Sequence, residues 1–249
     1  MLGTKQRARC DSSTEATVKI LHVKLARSIW LFDIRDLNPE GKDLMGDLVH
    51  WIMETYGFPE GPDPDNPIPN QPPTTAPVQQ TAQQASGGLV FKRGHFQNVE
   101  ISSLAIYDDG IVVDTTSSTA DGDLFAEDLL KSAADEFSLP YDTETVRKKM
   151  YLSELIVRSD LRLESLNPTL VAFAEKLSSI PVSGQSLSFG VGTVAFWSEP
   201  NDAGLHRAFK IERQLGRSFS EHRFYSEAPF QTDAHLRLLE EFEKLVIGA

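Results

Sequence analysis

A proline-rich segment in the first third of the chain does most to limit how this sequence can fold. More than half of the 14 prolines lie within residues 59–88, where Gln, Thr, Asp and Gly supply much of the remainder. So polar a segment cannot bury enough apolar surface to offset the entropy lost on ordering. The composition therefore predicts a disordered linker over residues 59–88, serving either as a passive tether or as a ligand for a partner's groove.

This linker divides the chain into parts of unequal size. Residues 1–16 are polar and predict a flexible tail. Two β-like runs and a helical pattern over residues 17–58 predict a small β-β-α module, and residues 89–249 predict a larger mixed α+β domain. The predicted fold class is therefore α+β. A module this short buries little apolar surface, so we expect it to pack on the main domain or on a partner chain.

The clearest local pattern runs from residue 99 to residue 139. Two β-branched runs flank Asp109-Gly110, which is a strong hairpin signal. Beyond them apolar residues recur every four positions and so share one face of a helix: Phe125, Leu129, Ala133 and Phe137. A hairpin followed by a helix is thus predicted to form the core of the main domain.

The tripeptide Leu-Asn-Pro occurs twice, at residues 37–39 and 166–168, each time between a predicted strand and a predicted helix. Asn is a good helix N-cap and Pro fits the first helical turn, so local capping chemistry explains the recurrence. Duplication of a strand–helix unit is the alternative explanation. The helices predicted at these junctions are Glu40–Tyr56 and the segment after Pro168, and a further helix is predicted at Thr232–Val246.

Charge and cysteine content exclude several classes of protein. The net charge of -12 argues against broad nucleic-acid binding, leaving only a local basic patch at residues 206–223 for such contacts. The single cysteine, Cys10, permits neither an intramolecular disulfide nor a cysteine zinc site. No signal peptide or membrane-spanning run is found, so we expect a soluble, cytoplasmic protein without membrane contact.

Acidic residues are concentrated between Val99 and Glu144, where 12 Asp and Glu residues face a single lysine. One interpretation is a solvated acidic face, and another is a docking face for a basic partner. A third is a divalent-metal site in the hairpin, since carboxylates on adjacent strands can bind a hard cation. The residues proposed for that site are Asp108, Asp109 and Asp114.

A locally basic stretch lies between His206 and Arg223. Because guanidinium and ammonium groups bind phosphates and carboxylates, it predicts an anion site formed by three residues: Arg207, Lys210 and Arg213. The alternative is internal pairing of these cations with the acidic segment.

No complete catalytic motif is present, so no catalytic residue and no cofactor are predicted. The six histidines are scattered, and neither a serine-nucleophile motif nor a phosphate-binding glycine loop is complete. The leading hypothesis is a non-catalytic interaction or assembly subunit that binds a protein partner or itself. One alternative is a metal-dependent phosphodiester hydrolase that uses the hairpin carboxylates, with Glu154 as a further ligand. The other is a sensor that binds an anionic small molecule.

Overall fold

The structure, a computed structural model, describes residues 18–65, 88–142, 144–199 and 208–248. Within these ranges the chain forms one antiparallel sheet and five α-helices. The predicted α+β class is confirmed. None of the described helices is long and apolar enough to cross a membrane.

Eight strands form the sheet. They are β1 (Lys19–Leu31), β2 (Leu89–Phe96), β3 (Val99–Tyr107), β4 (Gly110–Thr115), β5 (Lys148–Arg158), β6 (Thr193–Trp197), β7 (Ala208–Arg213) and β8 (Arg223–Ala228). The helices are α1 (Ile34–Leu37), α2 (Met45–Thr55), α3 (Thr119–Phe137), α4 (Pro168–Ser178) and α5 (Thr232–Gly248).

The order of elements shows that the fold consists of two repeats. The strands lie in the order β2-β3-β4-β1-β5-β8-β7-β6. The first repeat runs β1, α2, β2, β3, β4, α3, and the second runs β5, α4, β6, β7, β8, α5 in the same β-α-β-β-β-α order. A pseudo-two-fold axis passes between the central strands β1 and β5, where Ala26 faces Ser153. This arrangement favours duplication as the explanation of the two Leu-Asn-Pro junctions.

Two threonines at this axis are related by the same symmetry. The backbone N–H of Thr119 donates to Thr232 Oγ1, and the backbone N–H of Thr232 donates to Thr119 Oγ1, both at 3.0 Å. Each threonine is the first residue of its helix, and the two lie 113 positions apart. We therefore treat residues of α3 and α5 that are 113 positions apart as equivalent.

Strand β1 differs from the prediction. The two β-like runs of the predicted β-β-α module form one strand of 13 residues, and that strand lies at the centre of the whole sheet. Register shifts lie between Ile20 and His22 and between Val23 and Leu25. Each extra residue reverses the alternation of faces, which is why the sequence pattern suggests two strands.

Part of the predicted linker belongs to the folded sheet. Glu60 forms an antiparallel bridge with Lys92 of β2, and its carboxylate pairs with Arg93. These contacts cover the outer edge of β2. Residues 66–87 of the predicted linker, like the predicted flexible tail at 1–16, lie outside the described residues.

The two Leu-Asn-Pro junctions fold differently. Asn167 caps α4 as predicted, since its side chain accepts from the backbone N–H of Thr169 at 2.9 Å. In the first repeat, by contrast, α2 begins only at Met45 rather than at residue 40. Asn38 instead closes a loop, because its amide accepts from the Lys42 backbone N–H at 2.9 Å and donates to the Lys42 carbonyl at 2.8 Å. The first repeat thus has a loop, residues 38–44, that the second lacks.

Candidate interaction surface

Helices α3 and α5 use equivalent positions to pack on the sheet. The buried positions in α3 include Thr119, Gly122, Ala126, Leu130 and Ala133. Their equivalents in α5 are also buried: Thr232, His235, Leu239, Glu243 and Val246. This match extends the pseudo-symmetry from the backbone to the side chains that face the sheet.

The neighbouring stripe of each helix differs between the repeats. Phe125 of α3 is fully buried, and the ring of Tyr56 lies edge-on to it with 5.0 Å between the ring centroids. Its equivalent in α5, Leu238, is 37% exposed. Leu245, two turns further along the same stripe, is 72% exposed. Between these two residues Phe242 is half-buried, and its ring lies edge-on to Phe196 of β6 with 5.9 Å between the ring centroids. This stripe of α5 is therefore apolar, and its exposed part within the described chain lies at Leu238 and Leu245.

Helix α4 also leaves apolar residues exposed. Its exposed fractions are 49% for Leu170 and 58% for Phe173, and Ala174 is its one buried residue. In the first repeat, α2 buries Val49 and Ile52 completely. Helix α2 thus completes the core of the first repeat, whereas its counterpart α4 contributes little to the core of the second.

Further exposed apolar residues lie between α4 and the end of β6: Ile180, Val182, Leu187, Phe189, Phe196 and Trp197. Strand β6 is the last strand of the described sheet on this side. The opposite edge, on β2, is covered by the bridge to Glu60. We refer to the exposed apolar residues of α4, residues 180–189, β6 and α5 as the second-repeat apolar surface.

The structure does not bring the three hairpin aspartates into a metal site. Asp108 and Asp109 form the exposed turn between β3 and β4. Asp114 lies near the other end of β4 and binds Arg27 through two hydrogen bonds, Nε to Oδ1 at 2.7 Å and Nη2 to Oδ2 at 2.8 Å. No group of three or more potential metal ligands occurs among the described residues.

Several residues of the acidic segment have structural partners instead. Asp123 accepts hydrogen bonds from Trp30 Nε1 at 2.8 Å and from the Tyr151 hydroxyl at 2.9 Å, which ties α3 to both central strands. Asp128 accepts from the Tyr56 hydroxyl at 2.8 Å. Burial, and next the bond to Asp128, raises the pKa of Tyr56. The acidic residues with such partners are therefore parts of the fold.

The predicted anion site is not assembled. Lys210 pairs with Glu212, its neighbour on the same face of β7. Arg213 pairs with Glu164 and donates to the Val191 carbonyl at 3.1 Å, and its side chain is only 10% exposed. Three positions apart on a strand, Lys210 and Arg213 point to opposite faces of the sheet. Arg207 lies outside the described residues.

Glu154, proposed above as a further metal ligand, lies on the face of the sheet that carries Asp114. It lies opposite Glu227 of β8 in the sheet. The Glu154–Glu227 pair occupies the position in the second repeat that the Arg27–Asp114 pair occupies in the first. The Tyr225 hydroxyl donates to Glu227 at 3.1 Å. Burial and these two carboxylates raise the pKa of Tyr225, so the phenol remains protonated as a donor.

A buried histidine links α5 to two strands. His235 is fully buried, with Nδ1 2.7 Å from Ser153 Oγ and Nε2 2.8 Å from Ser226 Oγ. Ser226 donates its own proton to the Lys210 carbonyl at 2.8 Å, so it must accept from Nε2–H. Ser153 therefore donates to Nδ1. With no access to solvent, this Ser–His contact is a structural feature of the core rather than a catalytic pair.

This histidine makes stability depend on pH. Burial lowers the pKa of His235 to about 4, against about 6.5 in an unfolded chain. As the pH falls, His235 therefore takes up a proton in the unfolded state before it does so in the folded state. The contribution of His235 to stability is complete above pH 6.5 and is lost as the pH falls towards 4. We expect the free energy of unfolding to fall between pH 7 and pH 5 by about 2 kcal/mol more in the native protein than in His235→Gln. Urea unfolding of both at the two pH values measures this, and equal losses would contradict it.

Comparison with known proteins gave no match to a protein-family model, a curated protein or a solved structure.

Proposed function

We propose that this protein is a non-catalytic interaction subunit of a protein complex and that its second repeat binds an amphipathic helix of a partner chain. The observation that carries the proposal is the unequal exposure of equivalent residues. Phe125 is buried, whereas its equivalent in α5, Leu238, is 37% exposed, and Leu245, two turns further along α5, is 72% exposed. Exposed large apolar side chains of this kind are typical of sites where another protein binds.

The first repeat indicates what kind of partner fits. There α2 packs Val49 and Ile52, and the following residue Tyr56, against the core that contains Phe125. In α5, Phe242 packs against Phe196 and the second core, while Leu238 and Leu245 on the same stripe are left exposed by the described residues. A partner helix with apolar residues at i, i+3, i+4 and i+7 would therefore pack there in the way α2 packs on α3.

Strand β6 supports a second contact with the same partner. Its backbone lies at the sheet edge, and Phe196 and Trp197 are 53% and 72% exposed. An exposed edge strand of this kind can pair with a strand of another chain. A partner that supplies a helix followed or preceded by an extended segment would satisfy both features.

The geometry gives less support to the two alternatives. A metal-dependent hydrolase needs converging ligands, and the described residues hold no such group. An anion sensor at residues 206–223 needs free cations, whereas Lys210 and Arg213 are both paired with glutamates.

Charge substitution on the second-repeat apolar surface tests the proposal. Phe173→Glu and Leu245→Glu place a carboxylate where an apolar contact is expected, so partner recovery should fall at least about tenfold, as for an interface hot spot. Because both side chains are exposed, the free energy of unfolding should change by less than about 1 kcal/mol. The measurement is quantitative affinity capture from native extract, with stability followed by urea unfolding.

Leu124→Glu is the matched control, since Leu124 is 55% exposed on α3 of the first repeat. A partner recovered with Leu124→Glu and lost with both other variants supports the proposal. A partner recovered equally by all four proteins contradicts it. Light scattering of the purified chain shows whether the partner is a second copy, in which case the two variants and not the control become monomeric.

A further inference from the structure

An apolar pocket lies in the first repeat, away from the second-repeat apolar surface. It has a volume of about 280 Å³ and is enclosed by α2, α3, the strands β2–β4 and the loop at residues 38–44. Its floor is formed by buried side chains, among them Phe32, Ile52, Ile111 and Leu129. The pocket is concave, mostly apolar and partly open to solvent, as small-molecule sites commonly are.

The polar residues of the pocket stand at its rim. Asp43 and Asp108 are exposed. Lys42 donates from Nζ to the Ser138 carbonyl at 3.2 Å, and the Asn38 amide is bonded to the Lys42 backbone. The interior therefore offers apolar contacts and no charged group, which fits a neutral ligand and disfavours an acid or a phosphate.

The described part of the second repeat has no loop equivalent to residues 38–44. There α4 begins directly at Pro168, so no loop is inserted after Asn167. In the first repeat the loop at residues 38–44 separates α2 from the Leu-Asn-Pro junction, and its residues Asn38, Lys42, Asp43 and Leu44 line the pocket. The loop that lines the pocket is thus specific to the first repeat.

We propose that this pocket binds a small, neutral, apolar molecule with the bulk of one substituted aromatic ring. A dry cavity of about 150 Å³ lined by Leu, Ile and Phe accepts benzene, and the pocket here has nearly twice that volume. The ligand would lie between Leu48 of α2 and Ala133 of α3, and would contact Ile106 and Ile111 of the sheet. This site is independent of the proposed interaction function.

Toluene is a suitable probe, with thermal unfolding as the readout. A ligand that binds only the folded state raises the melting temperature. The rise is about 3 °C when the ligand concentration is ten times its dissociation constant. Ala133→Leu fills the pocket from α3, and Leu48→Phe fills it from α2. The control is Ala120→Leu, because Ala120 is exposed on the same helix and does not line the pocket.

We expect toluene to raise the melting temperature of the native protein and of Ala120→Leu, and to leave the filled variants unchanged. Methyl resonances of Leu48, Ile52 and Leu129 should shift on titration in the native protein. Should one filled variant not fold, the other gives the same comparison. No rise in the native protein, or an equal rise in a folded filled variant, would overturn the proposal.

Discussion

Gly110→Ala is expected to lower the free energy of unfolding by about 4 kcal/mol, among the largest effects of any single substitution. Gly110 opens β4 directly after the hairpin turn and has a φ of 149°. A Cβ atom there would lie 2.1 Å from the Trp30 carbonyl oxygen. That oxygen belongs to the central strand β1, which cannot move aside without disturbing its pairing with both neighbours. Urea unfolding of the two proteins measures the difference.

Gly216→Ala separates the clash from backbone strain. Gly216 has a φ of 75° and no atom within 4 Å of a Cβ built on it. Its substitution should therefore cost only the strain of a left-handed residue, about 1 kcal/mol. Equal losses at residues 110 and 216 would show that the close approach to β1 has no effect.

The second large effect is expected at Phe125. Phe125→Ala removes a fully buried ring that Tyr56, Phe58 and Phe96 surround. Truncation of such a side chain costs about 3 to 5 kcal/mol, through lost burial and the cavity that remains. Urea unfolding again provides the measurement, and a loss below 1 kcal/mol would contradict the described core.

Leu238→Ala is the matched variant in the second repeat, because Leu238 is equivalent to Phe125 but 37% exposed. We expect a loss below about 1 kcal/mol in the isolated chain. The contrast between the two substitutions measures how unequally the repeats complete their cores. Similar losses at both positions would mean that α5 is covered as fully as α3.

In the first repeat, secondary structure could be predicted from the sequence wherever a single hydrophobic period dominates the pattern. The hairpin around Gly110 was predictable from its β-branched runs, and the helix after it from residues four positions apart. Phe125, Leu129 and Ala133 of that stripe are buried as predicted. Helix α3 begins at Thr119, because Ser118 provides the N-cap by accepting from the Asp121 backbone N–H at 3.1 Å.

Strand β1 could not be read in the same way, because its contacts are made with distant segments. Its middle residues, Ala26 and Ser28, are small and weak indicators of a strand. They are buried nevertheless, and Ser28 Oγ lies 3.0 Å from a Cβ built on Gly122 of α3. Only the position of α3 requires small side chains here. The sequence therefore suggested a small separate module in place of a central strand.

The second-repeat apolar surface was missed for a related reason. The C-terminal helix carries two adjacent apolar stripes, one with Leu239 and Val246 and one with Leu238 and Leu245. Periodicity does not tell which stripe faces the core. The sequence did show that this helix has more apolar surface than one sheet can bury. Together with the repeat, that excess indicates that another chain packs on the second stripe.

Site-specific photo-crosslinking in the cells that make this protein tests the interaction proposal most directly. A benzophenone side chain at residue 245 or 173 reports contacts of the second-repeat apolar surface, and one at residue 124 reports an exposed position of the first repeat. We expect adducts from residues 245 and 173, with the crosslinked peptide forming an amphipathic helix in the partner, and none from residue 124. No adducts at residues 245 and 173, or the same adducts at all three positions, would contradict the proposal.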